Sequence, residues 1–275
     1  MILDERYEIK TVLKQADGYT LYHARHLRLE KTVWIQELDT GTEMADQAQQ
    51  RARAWSDCSA VEGMVHICDQ FGMNGKVYII YEAPTGQRLS EYLGEKGTLP
   101  ETELAGILLK LCKIFSPARS IGLDDLPVTV EKLYRQEDGT LSFFACVTEY
   151  GQKTDYVYEL CEIFYEGVTK KKPPQKRIRI LFDEMESLSD CQPRLDGVLA
   201  AIIEKGLQVE PEKSFASLSE LEIALADWER QQEKKKRGIP YRIAGCLLCA
   251  LLLGIGLLGL YQRYEEQIRF FGVET

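Results

Sequence analysis

Apolar and polar positions alternate along "TVWIQEL", residues 32–38. The alternation places Trp34 and Gln36 on one face of a strand and Val33, Ile35 and Glu37 on the other. The longer stretch "LDERYEIKTVLKQADGYTLYHARHLRLEKTVWIQEL" holds further strand-like runs, separated by a turn at Asp17-Gly18 and a charged loop near Arg28 to Lys31. A polar segment rich in Gln and Ala, Met44 to Trp55, reads as a helix. "VHICDQF" and "VYIIY" then flank Asn74-Gly75, a strong hairpin signal. These elements predict a small antiparallel sheet with one helix.

After Gly86 the rhythm becomes helical. Leu104, Ile107, Leu108, Leu111, Ile114 and Phe115 recur at helical spacing, with Pro100 near the start. A second hairpin follows in "EKLYRQ", the turn Asp138-Gly139 and "LSFF". From Asp155 a helix carries Leu160, Ile163 and Phe164 as its apolar stripe. The loop "KKKPPQKRIR", Lys170 to Arg179, is basic and is not helical at its prolines. Val198 to Leu207 is another helix. A last one starts at Ser217 with Glu220 three residues on, a capping box, and repeats Leu221, Ala224, Leu225 and Trp228.

The pattern changes again at "IAGCLLCALLLGIGLLGLY", residues 243–261, which contains no charged residue. At 1.5 Å per residue it spans about 28 Å, close to a bilayer's hydrocarbon core. Lys234, Lys235, Lys236 and Arg237 precede it, with Arg242 at its edge, whereas Arg263 and Arg269 follow beside Glu265 and Glu266. The charge bias predicts a single-pass cell-membrane protein with a cytoplasmic N-terminal domain. Ala250 and Gly254 form a small-xxx-small step that favours close helix pairing, so a homodimer through this helix is a further expectation. Cys246 and Cys249 read as packing residues.

Composition narrows the chemistry. The 275 residues are 45% hydrophobic and carry a net charge of -9, with an isoelectric point near 5.1. An acidic chain has no general electrostatic attraction for nucleic acid. Met1 to Lys10 mixes charges among apolar residues, so no signal peptide is expected there. Eight cysteines without paired spacing fit a reducing compartment, and three histidines, His23, His26 and His66, make a zinc site unexpected. No cofactor or metal is expected.

The order of these elements resembles the protein kinase fold, in its bacterial Ser/Thr form, between Leu3 and Trp228. "RYEIKTVL…LYHARHLRLEKTVWIQEL" is similar to the first three strands of that family. "VYIIYEAPTGQRLSEYL", with Glu82 and Gly86, is similar to its hinge. "EDGTLSFF" resembles the hairpin after the catalytic loop. "VYELCEIFYEGVT" and "LDGVLAAIIEKGLQVEPEKSFASLSELEIAL" resemble its central and closing helices. The resemblance implies an α+β, bilobal fold, an antiparallel-sheet N-lobe over 1–82 and a mainly helical C-lobe over 83–229, and the apolar run and its flanking charges add a basic juxtamembrane linker over 230–242, a transmembrane helix over 243–261 and a short outer tail over 262–275.

The family's chemistry does not carry over. Its three phosphate-loop glycines fall on Lys14, Ala16 and Tyr19. The phosphate-binding lysine of V-A-I-K falls on Gln36, and the alanine that faces adenine falls on Trp34, whose indole is expected to fill the adenine slot; Tyr81 stands at the gatekeeper place. Asp46 to Trp55 has no Glu to pair with the missing lysine. The catalytic aspartate falls on Pro127 and the metal-binding asparagine on Lys132, with Asp124 and Asp125 read as exposed turn residues. The magnesium-binding aspartate falls on Ala145, in Ala145-Cys146-Val147.

The resemblance therefore implies a catalytically inactive, membrane-anchored pseudokinase acting as a scaffold, docking or signalling module. Its expected partners are other membrane or cytoplasmic signalling or secretion proteins and the lipid bilayer, with no nucleic acid. Lys170, Lys171, Lys172, Lys176, Arg177 and Arg179 are the candidate contact for an acidic partner or anionic lipid. One alternative is the pseudokinase-like subunit of a type VII-like secretion complex, a family with a sizeable domain beyond the membrane, where this chain has only Gln262 to Thr275. A second is a divergent active Ser/Thr kinase, and a third is an unrelated α+β domain.

Overall fold

In the computed structural model, which describes residues 1–57, 61–96, 99–120, 123–149, 155–174, 176–180 and 185–271, turn chemistry sets the first sheet. Strands β1 (Ile2–Leu3), β2 (Tyr7–Ala16), β3 (Tyr19–His26), β4 (Lys31–Asp39), β5 (Ile67–Met73) and β6 (Lys76–Glu82) pair antiparallel in the order β1-β2-β3-β4-β6-β5. Asn74 and Gly75 both have positive φ, 52° and 72°. Such a turn matches the twist of paired strands, which is why this dipeptide closes the β5–β6 hairpin. Helix α1 (Glu43–Asp57) runs between β4 and β5.

Period-two alternation sorts β4 as expected. Val33 and Ile35 join Leu3, Tyr7, Ala24, Tyr78 and Ile80 in a core on one sheet face. Trp34 and Gln36 project from the other face, opposite Tyr81 and Ile79 of β6.

A second antiparallel sheet, β7 (Gln87–Arg88), β8 (Leu133–Arg135) and β9 (Leu141–Phe143), contains the hairpin expected at Asp138-Gly139. Gly86, at φ 92°, leads into β7, and a Cβ there would lie 2.3 Å from the Arg135 carbonyl oxygen, so only glycine fits. A parallel bridge from Met64 to Phe143 joins this sheet to the loop before β5.

The helices follow the apolar stripes. They are α2 (Leu89–Glu95), α3 (Glu101–Ser120), α4 (Tyr156–Thr169), α5 (Lys176–Arg179), α6 (Leu188–Cys191), α7 (Gly197–Gly206) and α8 (Leu218–Phe271). α3 buries Leu104, Ile107, Leu108, Leu111, Ile114 and Phe115, and α4 buries Leu160, Ile163 and Phe164. Phe115 stacks on Tyr156, with ring centroids 5.1 Å apart. The Asp155 side chain caps α4 by accepting from the Tyr158 amide. At the start of α8, Ser217 Oγ accepts from the Glu220 amide, while the Glu220 carboxylate accepts from the Ala216 amide. Residues Met1–Ala226 form one compact unit; a second, Asp227–Thr275, holds the continuation of α8.

The fold is α+β, but its expected C-terminal end is corrected. The linker over 230–242 and the separate transmembrane helix over 243–261 are not found as distinct elements: Leu218–Phe271 is one helix of 54 residues. Among the described residues, no helix is long and apolar enough to cross a membrane. Side chains at 236–252, the first half of the apolar run among them, lie outside the described residues. The outer tail beyond 271 also lies outside the described residues.

Candidate functional site

Because β4 turns Trp34 and Gln36 to the same side, both face the segment that follows β9, residues 144–149. Gln36 is fully buried. Its Oε1 accepts from the Tyr81 hydroxyl at 2.6 Å, and its Nε2 donates to Thr148 Oγ1 at 2.7 Å. The Tyr81 oxygen accepts in turn from the Val147 amide at 3.0 Å. Burial of Tyr81 pushes its phenol well above the ordinary range, so it stays a neutral donor. A neutral amide thus closes a neutral network where a charged lysine was the family expectation.

Beside it lies an ion pair. Arg51 of α1 donates through Nε to the Val147 carbonyl at 3.0 Å and through Nη1 to Asp125 Oδ2 at 2.7 Å. The Arg51 and Asp125 side chains are 17% and 21% exposed. Asp125 is therefore not the exposed turn residue expected from sequence. The helix supplies the cation and the loop the carboxylate, so each of the two partly buried charges has its partner.

A third cluster sits at the mouth. Glu149 Oε1 accepts from Lys14 Nζ at 2.5 Å and from the Tyr19 hydroxyl at 3.2 Å. Glu149 Oε2 accepts from Lys132 Nζ and, at 3.1 Å, from the Cys146 amide. Burial alone raises the Glu149 pKa, but the hydrogen bonds from Lys132 and Lys14 and their charge outweigh it and hold the carboxyl at about 2. The same bond to Glu149 raises Lys14. Desolvation pushes the Tyr19 phenol and the Cys146 thiol each up to about 12, so neither is a nucleophile near neutral pH.

The third cluster borders a cleft of about 450 Å³. Lys14, Arg88, Lys132, Glu131 and Glu149 supply its charge, and Trp34, Tyr134 and Phe144 its aromatic wall. The Trp34 indole meets Phe144 edge to face with centroids 4.6 Å apart, and Tyr134 at 6.1 Å. The indole is half-buried and walls this open cleft.

Of the sequence-singled positions, Lys14, Tyr19, Trp34, Gln36 and Lys132 come together here. Ala145 is fully buried beside them, with no metal-ligating atom in its side chain. Pro127 lies in the loop between Leu126, whose amide donates to the Tyr156 hydroxyl, and Val128, whose amide donates to Glu159. Ala16 closes β2 opposite Tyr19. Among the described residues no group of His, Cys, Asp and Glu is arranged to hold a metal ion. Glu149 was missed from sequence, as were Arg51 and Asp125 as a pair.

Among the described side chains of the basic loop, each cation has a partner. Lys170 Nζ donates to the Leu93 carbonyl at 2.9 Å, Lys171 pairs with Glu186 at 3.0 Å, Lys172 approaches Glu131 at 3.9 Å and Lys176 pairs with Asp155. Arg179 is 4% exposed and donates to the Leu207 carbonyl at 2.5 Å and the Tyr158 hydroxyl at 3.3 Å. The Arg177 side chain lies outside the described residues. No protein-family model matches this chain, and a search of curated proteins finds no match.

Proposed function

We propose that this chain is a catalytically inactive, protein kinase-like module that serves as a scaffold or docking subunit for a partner protein. The observation that carries the reading is the commitment of Gln36, fully buried between Tyr81 and Thr148, at the position where a phosphate-holding lysine would be needed. Neither Pro127 nor Ala145 has a side-chain atom able to accept a proton or ligate a metal, so base and magnesium chemistry lack their groups. The sheet order, with α1 between β4 and β5, and the β8–β9 hairpin after the loop at 123–129 support the kinase-like part of the reading.

Two measurements test it. Incubation with Mg-ATP labelled at the γ-phosphate is expected to give no transfer to the chain or to generic protein substrates, in wild type and in Gln36→Lys alike. Transfer that disappears in Lys132→Ala or Asp125→Ala would overturn the reading. Partner capture from the native source should give the same stoichiometric partner with and without Mg-ATP. A yield that depends on hydrolysable ATP would also count against it.

A further inference from the structure

Four donors converge on one small anion inside an open cleft. Lys14 projects from β2, and Lys132 ends the short turn before β8. Their ammonium groups reach Glu149 from two sides, and the Tyr19 hydroxyl and Cys146 amide complete the set. One carboxylate has a single negative charge and two oxygens, whereas the two lysines carry two positive charges. Arg88, which reaches over the Tyr134 ring at 6.0 Å, adds a third cation to the lining against the single further carboxylate of Glu131. The donor set is thus richer than Glu149 alone uses. A phosphate group, with more charge and three acceptor oxygens, matches it better.

We propose that this cluster is an oxyanion receptor kept occupied by the chain's own carboxylate, and that a small phosphate-bearing ligand, without a metal ion, displaces Glu149 and takes its donors. Displacement has a mechanical meaning. Glu149 joins Lys14 on the sheet to Lys132 beside the helical part, so its release frees β2 from that tie. The site rests on the donor geometry and stands whether or not the scaffold reading is correct.

Calorimetric titration of the full chain with inorganic diphosphate, in the presence of a chelator, tests this. Weak binding is expected in wild type. Glu149→Gln is expected to bind about tenfold or more tightly, the size expected on removing a competitor for charge-assisted hydrogen bonds. Adding Lys132→Met to Glu149→Gln should remove that gain. Equal affinity in wild type and Glu149→Gln, or a gain that survives Lys132→Met, overturns the proposal. Should Glu149→Gln not fold, thermal melting of wild type in millimolar diphosphate decides. An upward shift lost in Lys14→Met supports the site, and no shift, or one that persists, overturns it. Phenyl phosphate run in parallel identifies the source of the phosphate. Tighter binding than inorganic phosphate supports a site for an aromatic-bodied ligand on the Trp34 wall, and equal binding supports a site for the free anion.

Discussion

Tyr81→Phe removes one oxygen and leaves the ring in place. In the native protein that oxygen donates to Gln36 Oε1 at 2.6 Å and accepts from the Val147 amide at 3.0 Å, with Gln36 and Tyr81 both fully buried. Its loss leaves a buried carbonyl oxygen and a buried N–H without their partner, and each such group costs about 1–3 kcal/mol. Because the two groups share one network their costs overlap, and the expected destabilisation is about 2–4 kcal/mol, a large share of the about 5–15 kcal/mol that holds a typical domain. Urea titration of the full chain, followed by tryptophan fluorescence and far-UV circular dichroism, should show a midpoint about 1 M lower at an unchanged slope of about 3 kcal/mol/M. Gln36→Leu in the same background removes the orphaned acceptor, so the double variant should lose less than the sum of the two single changes by about 1–2 kcal/mol. A Tyr81→Phe cost below about 0.5 kcal/mol, or strict additivity, would refute the claim that Gln36, Tyr81 and Val147 form one coupled buried network.

Other outcomes follow from neighbouring features. Burial raises Glu159 and Glu162 of α4 to about 7 from 4.5, so the folded state binds more protons than the unfolded chain between those values and stability should fall as pH rises from about 4.5 to about 7. Urea midpoints across that window should show the decline, and Glu159→Gln should flatten it. Asp125→Ala removes the carboxylate that Arg51 Nη1 bonds and should cost about 1–3 kcal/mol, less than for a fully dry pair because water reaches both groups; Arg51→Met with Asp125→Leu should recover much of it in the same titration. Gly206→Ala places a Cβ 2.2 Å from Cys161 Sγ where α7 crosses α4, and should cost about 1–3 kcal/mol, with rescue by Cys161→Ala.

Much of this architecture was legible in the sequence because it is written in local periodicity. The alternation in "TVWIQEL" placed Trp34 and Gln36 on the face they occupy, Asn74-Gly75 marked its hairpin, and Ser217 with Glu220 marked the start of α8. The site was legible only in part, because its polar connections join residues far apart in the chain. Lys14 and Glu149 touch across 135 positions, and no local pattern announces such a contact. One signal was present: Arg51 stands on α1 where a carboxylate was expected, and a half-buried guanidinium requires an anion. Asking which nearby loop could supply one would have pointed to Asp125. The apolar run misled for the opposite reason. Its composition is local, but the helix that contains it begins at Leu218, in an amphipathic segment whose Leu221 and Leu225 are buried.

The small second sheet carries a consequence for how the chain reaches this state. β7 pairs with β8, and β9 exchanges backbone hydrogen bonds with Gly63 and Val65. These partners are separated by long stretches of chain, whereas β1 to β4 pair in chain order and β5 pairs with β6, so that only the β4–β6 pairing closes a longer loop in the first sheet. Closing long loops costs entropy before the contacts form. The first sheet should thus collect early, and the search for β8 and β9 should limit the folding rate. The cleft, whose wall includes Tyr134 and Phe144, is then among the last features to form and among the first to open when the chain unfolds.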